Sequence, residues 1–219
     1  MEFRTSLHLQ KATRRAKSDV ANKLVSMLLH EISRALTTST GVPLVNAPVY
    51  SQQVEAAFGS SCLYCARPLE NARAAVEHFE GMNRFRLGLH IPGNVAVACV
   101  WCNREKRRDD QMPALLLAPS GWESFLAHDG SRCSPACKTC NYWRRMFPKD
   151  VGRREHLQAA AKKIHDFRIS FASVIGEAEK IKGILKNSVE ELYRECQNFA
   201  TDRIDALNAQ VVAQMEALG

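Results

Sequence analysis

Apolar residues recur at helical spacing over two long stretches that bracket a shorter, strand-like middle. From about Leu7 to Leu36, Leu9, Ala16, Val20, Leu24, Met27, Leu28 and Ile32 fall near one helical face, with Lys11, Arg14, Arg15, Lys17 and Lys23 between them. Thr37-Thr38-Ser39-Thr40-Gly41 closes that helix, and Pro43 and Pro48 keep the next segment extended. Ser51 is then placed to cap a short helix through Val54 and Phe58, with Gly59 after it. From Val151 to Leu218 the pattern is helical almost throughout. Leu157, Ile164, Phe171, Ala178, Leu185, Leu192 and Phe199 repeat every seven residues, with Ala160, Phe167, Val174 and Ile181 three after the earlier members. Such a stripe packs on the N-terminal helix or forms an arm for a second copy or a larger partner.

The middle changes period. Ala74 to Phe79 suits a strand, Arg84 to Ile91 alternates loosely, Pro92-Gly93 turns the chain, and Asn94 to Cys99 reads as a second small-residue strand. Trp101 to about Asp110 reads as a helix, and Ser120-Gly121-Trp122-Glu123 as a capping box before a short helix that stops near Gly130. The fold class that follows is mainly α with a small α+β core. Its expected organisation is an N-terminal helical segment over 1–50, a core over 51–112, a cysteine-rich helical extension over 113–150 and long C-terminal helices over 151–219.

Cysteine spacing gives the middle its chemistry. Cys62-Leu63-Tyr64-Cys65 and Cys99-Val100-Trp101-Cys102 are two Cys-x-x-Cys pairs enclosing 33 residues. Four thiolates paired in this way are what a closed tetrahedral zinc site uses. Cys133, Cys137 and Cys140, with His128 upstream, are candidates for a second zinc; buried free thiols are the alternative. Clustered thiols of this kind point to a reducing, cytoplasmic setting. Cys196 stands alone in a helix and reads as a small packing residue.

Between and after the zinc pairs lie Glu77-His78, Asn94 five residues before Cys99, and Cys102-Asn103-Arg104-Glu105-Lys106. In this order and at these offsets the sequence resembles the HNH endonucleases, the zinc-stapled branch of the ββα-metal nucleases, over about a fifth of the chain. It departs from that pattern in carrying Glu77 where Asp is common, and Glu80-Gly81-Met82 where the family has Pro and paired Gly.

The resemblance implies a strand, loop, strand and helix that bring Glu77 and Asn103 to one Mg²⁺ or Mn²⁺ ion. His78 is then the base that activates water, and Asn94 the brace that aims it. His titrates near working pH, and carboxylate and amide oxygens are hard ligands suited to those ions. Arg104, Lys106, Arg107 and Arg108 on the closing helix are expected to grip a DNA backbone. His90 reads as a loop or supporting residue, with a place near the phosphate as the alternative. A hydrolase of DNA phosphodiester bonds follows from the resemblance, in a prokaryotic or phage restriction or antiviral setting. A non-catalytic zinc module binding nucleic acid or protein is the alternative reading.

The bulk composition is compatible with either. A formal net charge of +7 and a pI near 9.1 favour a polyanionic partner. No apolar run approaches the ~20 residues of a membrane span, and the basic N-terminus lacks the apolar core of an export signal.

Overall fold

The computed structural model describes residues 5–70, 73–109, 121–128 and 137–218, with side chains left out for 5–17, 105 and 107–109. Among the described residues the chain is mostly helical, around a two-stranded sheet. In order, the elements are α1 (Thr5–Thr40), α2 (Pro48–Phe58), β1 (Ala74–His78), β2 (Val95–Cys99), α3 (Val100–Asp109), α4 (Trp122–Leu126), α5 (Lys138–Met146), α6 (Val151–Ile169) and α7 (Ala172–Ala217). Among the described residues no helix is long and apolar enough to cross a membrane.

Helix α1 runs further than its apolar pattern indicates, and it buries a different stripe. Ala21, Val25, Leu29, Ser33 and Thr37 are the buried positions, whereas Val20, Leu24 and Met27 are exposed. The buried stripe steps by four residues, and polar letters at 33 and 37 conceal its last turns. Ser33 and Thr37 are accommodated because their hydroxyls donate to the carbonyls of Leu29 and Ser33, four residues back. Thr38 and Thr40 make the same bond, so the Thr-Ser run carries the helix to Gly41, which takes φ +68°.

Helix α2 starts earlier than expected. Pro48 fills its first turn, where a missing N–H costs nothing, and Ser51 lies inside the helix as an exposed residue rather than at its cap. Tyr50 anchors the element: its hydroxyl contacts the Val95 carbonyl and accepts from the Gly93 amide. Its ring meets Phe171 edge-on at 5.5 Å.

Strands β1 and β2 pair antiparallel, with Glu77 opposite Ala96 and His78 opposite Val95. Residues 84–91, read from sequence as loosely alternating, form no strand. The loop is drawn in tightly at Gly88, where a Cβ would lie 1.8 Å from the Glu80 carbonyl oxygen. Only glycine permits that approach. Gly93 at φ +80° then turns the chain into β2, lying against Phe171 and Ile175.

The C-terminal region divides into α6 and α7, broken at Ser170 and Phe171. Leu157, Ile164, Phe171, Ala178 and Leu185 are buried as the seven-residue repeat predicts, together with Phe167, Val174 and Val189. Helices α1 and α7 pack along each other, joined near one end by Gln197 donating to Ser18 Oγ at 3.4 Å. Beyond that point the repeat fails as a core: Phe199 is 74% exposed, and Ile204, Leu207, Val211 and Met215 also face solvent. Ser120 and Gly130, expected to bound the short helix, lie outside the described residues; α4 itself starts at Trp122.

Candidate metal centre and active site

The two Cys-x-x-Cys pairs reach one place by different routes. The first sits in a compact turn, where the Cys62 amide donates to the Arg67 carbonyl and the Ala66 amide to the Cys62 carbonyl. The second straddles the end of β2 and the first turn of α3. All four sulfurs lie within 4.8 Å of one another, with Cys65 and Cys99 Sγ 3.9 Å apart. Cys62, Cys99 and Cys102 are buried. A hydrogen bond from Cys102 holds the Cys62 thiol down to about 4, while that same bond and burial push Cys102 far up. Four thiols so close can all ionise only around a cation. The site fits a structural zinc.

A second group forms where α4, α5 and the start of α6 meet. His128 Nε2 lies 2.8 Å from Cys140 Sγ, and Cys137 completes a set of three within 4.8 Å. Cys137 caps α5, its sulfur accepting from the Cys140 amide. Cys133, the expected fourth ligand, lies outside the described residues. Three such ligands can hold a metal, and two zinc ions per chain are the expected content of reduced protein. Elemental analysis of a Cys137→Ser/Cys140→Ser variant should fall to one. An unchanged count would place no ion at the second group.

The hairpin and α3 build the polar centre. Glu77 is buried, and its carboxylate is engaged by three elements. Lys106 from α3 donates to Oε1, Tyr64 from the first zinc turn donates to Oε1 at 3.1 Å, and Asn103 Nδ2 donates to Oε2 at 2.9 Å. Asn103 also donates to the Val76 carbonyl at 2.9 Å. The sequence thus brings Glu77 and Asn103 together from residues 26 apart. A helix that begins at the second zinc pair must pass directly over β1, which accounts for the meeting.

Lys106 departs from expectation. It is buried rather than presented to a phosphate backbone, donating to Glu77 and to the His78 carbonyl and lying 4.6 Å from the centre of the Trp122 ring. Arg104 is exposed on the same helix, while the side chains of Arg107 and Arg108 are outside the described set. Removing the ammonium in Lys106→Met leaves a buried carboxylate short of its countercharge, so a loss of about 3–5 kcal/mol in denaturant melts is expected. Glu77→Gln on that background should return much of the loss. A Lys106→Met protein as stable as wild type would show that the pair does not hold the helix down.

His78 is half-buried at the end of β1, with Nε2 3.0 Å from His90 Nδ1. Burial and the neighbouring His30 lower the pKa of His90. Asn94 ties the intervening loop at both ends. Its Nδ2 donates to the Glu80 carbonyl at 3.1 Å and to the Leu89 carbonyl at 2.8 Å, and its Oδ1 accepts from the Glu80 amide at 2.8 Å. Asn94 thus links Glu80 to Leu89 across the loop.

Residues that the sequence did not single out complete the frame. Arg168 of α6 reaches Asn94 Oδ1 and Glu80, Lys182 of α7 pairs with Glu80 at 2.8 Å, and Arg84 makes a two-pronged bond to Glu190. Ser33 of α1 accepts from the His90 amide at 2.8 Å, and His30 places its ring 4.9 Å from that of His90. No periodic signal marks them: Arg84 lies in the loop, and the others lie on helices whose pattern reports only the apolar face.

A comparison with family models finds no match, and neither curated proteins nor solved structures resemble the chain detectably.

Proposed function

We propose that the protein is an HNH-type endonuclease that hydrolyses DNA phosphodiester bonds with a divalent metal ion, in a restriction or antiviral role. One observation carries the reading. A zinc-fit thiol cluster anchors a β-hairpin and helix on which Glu77 and Asn103 meet, with His78 next along the strand and Asn94 bracing the loop between.

Glu77 and Asn103 supply the hard oxygen donors that Mg²⁺ or Mn²⁺ takes, and they would hold it. Bound there, such an ion would neutralise charge developing on the phosphate and leaving oxygen. Lys106 already sets a positive charge against Glu77, so the buried carboxylate has its countercharge within the fold. His78 takes the proton from the attacking water, and the His90 contact fixes its ring. Lys106, by donating to the His78 carbonyl, holds that end of the strand against α3. Asn94, aided by Arg168, keeps the loop from swinging away.

Lys23, His30 and Arg34 are exposed and share one face of α1 by helical spacing, extending from the His90 contact as a track for a polyanion. The solvent-facing apolar end of α7 suits self-association or a larger protein partner.

The engagement of both Glu77 oxygens favours a second reading, a zinc-stapled module that binds nucleic acid or protein without cleaving. A plasmid-nicking assay separates the two. Cutting in Mg²⁺ or Mn²⁺ that stops with chelator supports the nuclease. DNA retention with no cutting under any divalent ion supports the binding module.

A further inference from the structure

His30 and His90 lie outside the motif that carries the proposed reaction, yet they form a row with His78 from two other parts of the chain, His90 against His78 and His30 against His90. His78 ends β1, His90 ends the tight loop, and His30 comes from α1 one turn before Ser33, which accepts the His90 amide. The His78 and His90 rings lie 5.2 Å apart and those of His30 and His90 4.9 Å apart, each pair tilted rather than stacked flat. His78 and His90 are half-buried, while His30 is exposed, so the row opens to water at the α1 end.

The nearest nitrogens have the spacing of two ligands on one ion. Two imidazole nitrogens at 2.0–2.1 Å from a metal stand about 2.9 Å apart when they subtend a right angle, and about 3.4 Å in a tetrahedron. His78 Nε2 and His90 Nδ1 are 3.0 Å apart. Imidazole selects nickel, copper and zinc over magnesium, so this row differs in kind from the carboxylate and amide of Glu77 and Asn103.

We propose that His78 and His90 form a chelating pair for a borderline divalent transition metal, with the exposed His30 ring beside His90, and that the ion held there takes His78 out of use as a base. The first half concerns binding alone; the second rests on the nuclease reading. An imidazole ligated through Nε2 carries its remaining proton on Nδ1 and has no lone pair left to accept one from water. Metal and proton compete for one electron pair.

Calorimetry with Ni²⁺ on full-length, zinc-loaded protein tests the site directly. Wild type is expected to take up one Ni²⁺ per chain with micromolar affinity beyond its zinc. His90→Ala and His90→Gln should weaken that binding at least about tenfold, and His30→Ala by a smaller factor, with zinc content and circular dichroism unchanged. Two His90 variants guard against one misfolding. Either folded variant binding Ni²⁺ as tightly as wild type would overturn the site. For the second half, Ni²⁺ added to a nicking reaction in Mg²⁺ should inhibit over the concentration range in which it binds, and His30→Ala should shift both midpoints together. Ni²⁺ that saturates the site without slowing cleavage would overturn the inhibition. If no preparation cleaves DNA in Mg²⁺, the nuclease reading fails, while the calorimetry still decides the site.

Discussion

A His78→Ala variant is expected to lose about 10²–10⁴-fold in cleavage rate while keeping its fold, its zinc and its affinity for DNA. The imidazole would act on water in the transition state, so its loss should lower turnover more than ground-state binding. The ring is half-buried and contacts His90, but β1 is held by backbone pairing to β2 and by Lys106 at the His78 carbonyl, none of which alanine removes. Glu77→Ala should fail differently. It strips the countercharge from Lys106 and the acceptor from Asn103 and Tyr64, so stability falls along with activity. Single-turnover nicking with matched binding curves distinguishes the two. A His78→Ala protein that cuts as fast as wild type would remove the base from the mechanism.

The second large effect concerns the cysteine cluster. Cys99→Ser is expected to abolish the cooperative folding of the hairpin and α3, because metal-binding free energy is folding free energy. Structural zinc contributes an apparent ~10–16 kcal/mol in finger peptides, comparable with the ~5–15 kcal/mol that holds a whole domain together. The geometry sharpens the expectation. Cys99 ends β2 and Cys102 lies in the first turn of α3, so losing the ion frees the junction that carries Asn103 and Lys106 to Glu77. Thermal melts with and without a strong chelator, alongside zinc content, measure this. Fully folded, reduced wild type that carries no zinc would defeat the idea.

How much of this was readable beforehand depended on the kind of signal. The thiol pairs, the hairpin and α3 were legible because they are local: ligand spacing and strand length are written in consecutive residues. The stripe on α1 was misread because Ser33 and Thr37, polar in the alphabet, are buried with their hydroxyls bonded back along the helix. Lys106 was assigned to the surface by its charge, yet only the packing of α3 over β1 shows a buried carboxylate waiting for it. His30 could not be placed, since one histidine on an amphipathic helix looks the same whether it faces water or a second histidine. The distal part of α7 keeps an apolar rhythm that the described residues do not cover, so periodicity there reports a surface rather than a core.

The tethers on the loop that follows His78 have a bearing on timing during synthesis. The loop is tied by Arg168, Lys182 and Glu190, which stand 74 to 106 residues downstream of their partners. At roughly 5–20 residues per second of translation, these anchors emerge on the order of 4–20 s after the loop itself. In that interval the hairpin and its thiols can already assemble, since their contacts are local. A chain still attached to the ribosome can therefore bring its four clustered thiols together before its loop is fixed. The order of translation itself withholds the finished loop until the last long helix has been made.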